Sequence, residues 1–467
     1  MPEIFEFEAQ GTELQEAIKR AVEYCIANDI LKEYLIERAS EVLSMLFEEF
    51  RVEDYGDVRY QNGLLDAVVN VIKTLRITLT DAMNVVKLDQ KYRNQVIVNF
   101  RRLLDMMDYH IIQSIHSRWE RVATNDLYIE ALDEYSPLCE DHSAFEASVT
   151  EGAVNDTVKN LGLALKYGSD RYPVRDTAYK SLLDRARIGG AALLKLKRSD
   201  LAYMLNLCLP LYKDMALLLI REQKVTAAHS GDAKDYAVLP VDELLDSVKF
   251  MLDGRFPGNS FESGYSDHTL TRAEWSLPAH KDELLGTYRK TLENSGKLTL
   301  ASKLMPGIRF STSDTGNSSA KVSALIFGLP YPIPIGGTVA TEHRGQANIQ
   351  SFKESLPMLF AQFTDSVARL EKLTVVYLDY PVNVMMAVCK KLAMPKSASL
   401  EAIGMYEMAC GENAATAHDV FIAMQEIMFI CKTANTPESK MLLLEENMAR
   451  ALTLNWVSFD TAKAVTW

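Results

Sequence analysis

The chain of 467 residues has no run of about 18 apolar residues, so no membrane-spanning helix is expected. Its opening, Met1-Pro2-Glu3-Ile4-Phe5-Glu6, is acidic and lacks the basic stretch and apolar core of a secretory signal. Six cysteines (Cys25, Cys139, Cys208, Cys389, Cys410 and Cys431) are scattered, with no C-x-x-C pair. That distribution excludes a zinc ribbon and points to reduced, buried thiols in a cytoplasmic protein. Ligand spacing is missing among the eight histidines as well: His110 and His116 lie six apart, not on one helical face as an i, i+4 pair would. The sequence holds no P-loop, no G-x-G-x-x-G after a strand, no H-E-x-x-H and no G-x-S-x-G. These absences assign no catalytic residue, no metal and no cofactor. Net charge is −13, which opposes nucleic acid or an anionic membrane over the surface as a whole and leaves room for a local basic patch.

The most strand-like stretch is Met305 to Gly345. Ile308, Phe310 and Thr312 alternate with Arg309, Ser311 and Ser313, the period of a half-buried strand. Ser313-Asp314-Thr315-Gly316-Asn317 is dense in turn formers. Lys321 to Phe327 is a second apolar run. Pro330, Pro332 and Pro334 cannot donate to a central ladder, so that segment reads as an edge or a loop. Gly337 to His343 completes a small antiparallel meander.

Helical spacing dominates elsewhere. Residues 12–50 read as a helical pair, and 88–123 continue as helix with Val96, Phe100, Leu103, Leu104 and Met107 on one side. Residues 124–152 are mixed and polar and read as a connection. Downstream, Leu356, Leu359, Phe360, Phe363, Val367 and Leu370 form one apolar stripe, and Val420, Phe421, Met424, Ile427 and Met428 another. Residues 1–55 carry 14 acidic and 5 basic side chains, a solvated acidic face or a docking surface for a basic partner.

Two resemblances rest on these residues. The segment from Gly11 to Phe50, with Leu79-Thr80 and Ala82-Met83 further on, resembles the C-terminal tail of the recombination-promoting nuclease (putative transposase) family over about residues 4–100. That family's catalytic part precedes its tail, so the resemblance implies a helical, self-associating module and no nuclease. From about residue 153 to 460 the chain resembles the phage/plasmid-like family of domain of unknown function 932. The likeness is carried by a helix, the turn Ile188-Gly189-Gly190 and a second helix ending near Leu205-Asn206. Arg221, Ala227 and Ser230 come next, then Asp242-Glu243-Leu244-Leu245 and Pro306-Gly307-Ile308-Arg309. Ser313 to Gly316, Glu342-His343-Arg344-Gly345, Thr416 to Val420, and Arg450-Ala451 with Trp456 complete it. The Pro and the aromatic that the family carries near the first turn are not found here. The resemblance implies a bacterial mobile-element context and no assigned reaction.

Three constellations carry chemistry. Asp314-Thr315-Gly316 matches the aspartic-protease triplet, but that mechanism needs two such carboxylates and the polar residues before it suit a turn. His343-Arg344 at a strand end is the best polar pair, an anion site or a solvated edge. Residues 171–200 form a basic island of eight cations against three acids. There Arg185 and Arg187 precede the Gly-Gly turn, and Lys195, Lys197 and Arg198 come after it, an arrangement able to track phosphates.

The expected fold is α+β: a helical module at 1–110, a connection at 111–152, and a body at 153–467 with a small antiparallel sheet and a helical C-terminal cap. The expected function is a non-catalytic accessory protein of a mobile element that contacts single-stranded nucleic acid through the island and self-associates through its N-terminal helices. Two alternatives stand beside it: a protein-interaction module acting through the acidic N-terminus, and an enzyme with a site near Asp314 and His343.

Overall fold

The computed structural model describes residues 98–467 apart from 116, 132–161, 169, 191, 213, 222–223, 231–235, 268, 317 and 412. The chain divides into two units, Met1–Arg93 and Asn94–Trp467, and the described residues all lie in the second. The expected helical pair at 12–50 and its acidic face lie outside the described residues, as do Cys25 and Cys139.

The described chain opens with strand β1 (Val98–Phe100), helix α1 (Leu103–Ile115) and strands β2 (Ser117–Ala123) and β3 (Leu127–Ala131). A hairpin, β4 (Leu163–Tyr167) and β5 (Asp170–Pro173), leads to α2 (Asp176–Ala186) and α3 (Arg198–Cys208). A second hairpin, β6 (Met215–Arg221) and β7 (Lys224–Ser230), precedes α4 (Val241–Arg255). Strands β8 (Ser260–Ser266) and β9 (Thr271–Ser276) are followed by α5 (Lys281–Asn294) and α6 (Leu298–Lys303). The expected meander is β10 (Met305–Thr312), β11 (Ala320–Phe327) and β12 (Ile333–Thr341). Helices α7 (Ile349–Ser355) and α8 (Met358–Lys372) come next, then β13 (Tyr377–Leu378), α9 (Pro381–Lys391) and α10 (Lys396–Cys410). Strand β14 (Ala415–Thr416), α11 (Ala417–Met424), α12 (Glu426–Thr433) and α13 (Glu438–Arg450) complete the cap. The fold is α+β, with antiparallel sheets and helices that are largely segregated from them.

Two expectations are corrected. Residues 88–123 are not one helix, because 98–100 and 117–123 are strands. In β2 the residues Ser117 to Ala123 pair with Arg221 to Met215 along their whole length, and pairing overrides local helical spacing. The body does not start at 153 either. β1 pairs with β8, β2 with β6 and β3 with β4, so residues 98–131 supply a strand to each of the three larger sheets.

The main sheet has the order β1-β8-β9-β10-β11-β12. One of its faces is apolar, and Ile308, Phe310, Val322, Ala273 and Trp275 on it are fully buried. The opposite face of β10, expected to be solvated, is also covered: Arg309 is 2% exposed and Ser311 3%. Helix α13 lies over it, and the contacts are ionic. Arg309 Nε donates to Glu274 Oε1 at 2.8 Å, its Nη1 to Glu445, and its Nη2 to the Pro332 carbonyl at 3.1 Å. Arg272 pairs with Glu438 at 2.9 Å and Lys321 with Glu446 at 2.7 Å. Glu438 and Glu445 are seven residues apart, two helical turns, which sets both over the sheet. The prolines behave as expected, with Pro334 inside β12 on the sheet edge and Pro330 and Pro332 in the turn before it.

The smaller sheets share a second core. β3-β4-β5 meets β2-β6-β7 at a parallel bridge between Val174 and Val225. Leu163, Leu165, Leu182, Leu205, Leu218 and Ile220 are buried between these strands and α2 and α3. Asn206 closes the free edge of β3. Its Oδ1 accepts from Ile129 N at 2.7 Å and its Nδ2 donates to Ile129 O at 2.8 Å, imitating a neighbouring strand. In the cap both expected stripes are core: Leu359, Phe363, Val367 and Leu370 in α8, and Val420, Phe421, Met424, Ile427 and Met428 in α11 and α12. Cys389 and Cys431 are buried free thiols, whereas Cys410 is exposed. Among the described residues, no helix is long and apolar enough to cross a membrane.

Removing the shared cation is expected to be costly. Arg309→Ala leaves two buried carboxylates facing one another and lowers stability by roughly 3–5 kcal/mol. Urea unfolding of the two proteins at pH 7 measures the loss, and a change below about 1 kcal/mol would show that the ionic layer is dispensable.

Candidate functional site

The turn after β10 is the hinge of the site. Gly316 takes φ +82°, a conformation that favours glycine, and a Cβ there would sit 3.0 Å from His229 Cε1, so a larger residue would also have to displace that ring. Asp314, at the head of the turn, forms an ion pair with Arg221 at the end of β6. Arg221 Nε also donates to Ser117 Oγ at 2.7 Å. The Tyr236 hydroxyl donates to the Asp314 carbonyl at 2.9 Å. Four rings gather here. His229 and Tyr236 stack at 3.8 Å between centroids and 5° between planes, Trp119 stacks on Tyr236 at 5.6 Å, and His343 stacks on Tyr236 at 5.4 Å.

His343 and Asp314 therefore belong to one cluster, while Arg344 does not. His343 is buried. Its Nδ1 lies 3.1 Å from the Ala237 carbonyl, and the Ala237 N–H donates to the His343 carbonyl at 3.1 Å. The pair of bonds clamps the segment that carries Tyr236. Arg344 points to solvent with 80% of its side chain exposed, 3.9 Å from Glu342. The expected His343-Arg344 anion site is thus divided between core and surface.

A cleft of about 160 Å³ opens over the ion pair. Its walls come from α1 (Tyr109, His110, Gln113), β2 (Ser117, Trp119), the start of α4 and the β8–β9 hairpin (Ser266, Thr271), with Arg221, Tyr236, Ser313 and Asp314 beside them. His343, Arg344 and the five island residues do not line it. Burial would raise the Asp314 carboxyl, but the Arg221 charge and hydrogen bond outweigh it and hold the group below the usual carboxylate range. Burial pushes His110 down to about 3, with Arg221 adding to the shift and Asp314 opposing it. Burial likewise takes His229 down to about 4 and lowers His343. Around the ion pair, one carboxylate and one guanidinium thus stand among imidazoles that are uncharged at neutral pH, and Asp242 and Asp267 also line the cleft. Such a lining suits binding by stacking and paired hydrogen bonds. Among the described residues, no three His, Cys, Asp or Glu side chains come together as metal ligands would.

The basic island divides in three. Arg175 and Arg185 are buried, and Arg185 bonds Thr124 Oγ1 and reaches the His229 carbonyl at 3.5 Å. Arg185 is thereby corrected from an expected phosphate contact to a core residue that braces α2 against β7. Arg171 pairs with Glu130, and Lys180 with Asp176 at 2.8 Å. Arg187, Lys195 and Lys197 are exposed, and Arg198 is half-buried, its side chain lying over Gly162. Sequence reasoning misses the rings beside them. Tyr203 is 65% exposed on the outer face of α3, and the Arg187 guanidinium sits 5.0 Å above the half-exposed Tyr212 ring. The signal for Tyr203 is its pairing with Leu207 at helical spacing, opposite the buried Leu201, Ala202 and Leu205. Arg187 also adopts φ +52° as the left-handed cap of α2, a conformation that costs a non-glycine residue roughly 1 kcal/mol.

A further polar cluster lies in the cap. His418 Nε2 is 2.7 Å from the Tyr288 hydroxyl, its Nδ1 is 3.3 Å from Lys297 Nζ, and Lys297 pairs with Asp419 at 2.6 Å. Asp419 also closes the capping box with Thr416 that starts α11. Burial and then Lys297 bring His418 down to about 4.

No family model, curated protein or solved structure matches this chain.

The depressed histidines set a pH dependence. His110 and His418, buried and held at about 3 and about 4, stay neutral while their unfolded counterparts protonate near 6.5. The unfolded state then binds more protons, so stability falls as pH drops through 6.5 towards 4 and is flat above. At pH 5 the loss is about 2 kcal/mol for each histidine. Urea unfolding at pH 7.5, 6 and 5 checks it, and equal stability at all three would contradict the buried neutral state.

Proposed function

We propose that this protein is a non-catalytic accessory protein that contacts single-stranded nucleic acid through the α2–α3 turn and the outer face of α3. The mobile-element setting comes from the resemblance described above. The reading is supported by one observation in particular: Arg187, in a left-handed cap conformation, covers the Tyr212 ring, with Lys195, Lys197 and Tyr203 exposed on the same connection and the helix after it. Cations that neutralise phosphates beside rings on which bases stack are the two elements of sequence-tolerant single-strand binding. The net charge of −13 keeps the affinity modest at physiological salt. A second reading draws on the exposed Leu207 of α3 and Leu211 in the turn just after it, which suit a protein partner.

Replacing Arg187, Lys195, Lys197 and Arg198 together with Gln is expected to abolish binding of a labelled single-stranded oligonucleotide. Tyr203→Ala and Tyr212→Ala each weaken it about tenfold. For four phosphate contacts, log K falls against log salt with a slope of about −3. Arg185→Gln behaves differently, costing about 2 kcal/mol of stability through its lost buried bonds. Fluorescence anisotropy with single-stranded and duplex probes at two salt concentrations gives the answer. Binding that ignores salt and all four substitutions rejects this face as the nucleic-acid site, and no binding at low salt rejects nucleic acid altogether; either leaves this face to a protein partner.

A further inference from the structure

We propose that the cleft over the Arg221–Asp314 pair is a binding site for one nucleobase, taken edge-on by the ion pair and stacked on Trp119. The size is the first support. A space of about 160 Å³ is too small for a drug-sized ligand and close to the roughly 150 Å³ in which a single benzene ring is held. The wall is the second. Trp119 stands on β2 and stacks on Tyr236, both lining the cleft, and these rings belong to the stack that continues to His229 and His343. A ring entering the cleft meets a rigid aromatic surface, which costs little ordering entropy.

The polar end is the third. The ion pair is not sealed: 14% of the Arg221 side chain and 20% of Asp314 remain accessible. A guanidinium and a carboxylate side by side offer donors next to acceptors. The complementary edge has an N–H donor beside an acceptor, as in the ring N–H and C=O of guanine, hypoxanthine and uracil or the exocyclic N–H and ring nitrogen of adenine; purine riboside, with acceptors alone, lacks it. Nearby Ser313 and Thr271 can trim the fit. Extruded bases are read in this way elsewhere, by stacking and by hydrogen bonds to the pairing edge.

The site is separate from the α3 face proposed above, and its failure is distinguishable from failure there. The ring can come from a free nucleoside or from a strand, and the test separates the two. Trp119 is a built-in reporter, since Trp275 and Trp456 are buried and Trp467 ends the chain. Full-length protein is titrated with inosine, uridine, purine riboside and inorganic phosphate, read by tryptophan fluorescence and by calorimetry. Inosine and uridine are expected to bind saturably and at least tenfold more tightly than purine riboside, with no response to phosphate. Trp119→Leu weakens inosine at least tenfold. Asp314→Asn removes the preference over purine riboside, and circular dichroism of each variant establishes that it is folded. If Asp314→Asn fails to fold, the discrimination between inosine and purine riboside by the unaltered protein decides the edge reading. The four-Gln variant of the α2–α3 face keeps full nucleoside affinity. Competition by a uridine-rich oligonucleotide assigns the base to a strand, and its absence assigns a free nucleoside; both support ring recognition. No saturable binding of inosine or uridine, equal binding of purine riboside, or unchanged affinity in folded Trp119→Leu overturns the proposal.

Discussion

The Arg221–Asp314 ion pair ties the small β2-β6-β7 sheet to the turn that ends β10 in the main sheet. Much of the surrounding order depends on it. Asp314 fixes Tyr236 through its backbone carbonyl, Tyr236 fixes the ring stack, and the stack sets the wall of the cleft. The pair is mostly buried, so its charges are costly to separate. Its Coulomb field also reaches the histidines around it. Arg221 helps to keep His110 neutral, and a neutral His110 beside Thr271 leaves the cleft without a second positive group.

The polar layer under α13 makes a related point about reading strands. The alternation from Ile308 to Ser313 correctly places a strand and its neighbours, and the turn at Asp314 to Gly316 is legible from residue chemistry alone. Alternation reports two environments, however, and it is silent on whether the polar one is water. Here it is a helix bearing Glu438, Glu445 and Glu446, more than a hundred residues further on. Only the matching of Arg272, Arg309 and Lys321 against three acids of one distant helix could signal that contact. Similarly, Ser117 to Ala123 reads as helix because its partner β6 is remote in sequence.

The site is legible in pieces. Asp314 and His343 stand out by type and position, and they do share a cluster, joined through Tyr236. Trp119, Arg221 and His110 cannot be joined to them from sequence, since separate elements far apart in the chain bring them together. The island shows the opposite limit. Eight cations in one stretch look like a single patch, yet the helical period turns Arg185 inward to the core while Arg187, two residues on and outside the helix, faces solvent. A charge count treats those two alike, whereas burial makes one a brace and the other a surface group.

The main sheet has a blunted edge at β12, and this bears on how further strands could add to it. That strand carries Pro334, which has no N–H to offer an incoming strand. In the smaller sheet the outer strand β3 is already satisfied at Ile129 by the Asn206 side chain. At these two places, backbone groups that could recruit a neighbouring chain are thus missing or occupied. At the crowding of a cell, or during refolding at high concentration, association through these described edges is disfavoured, which channels any assembly of this unit towards side-chain surfaces instead of growing sheets.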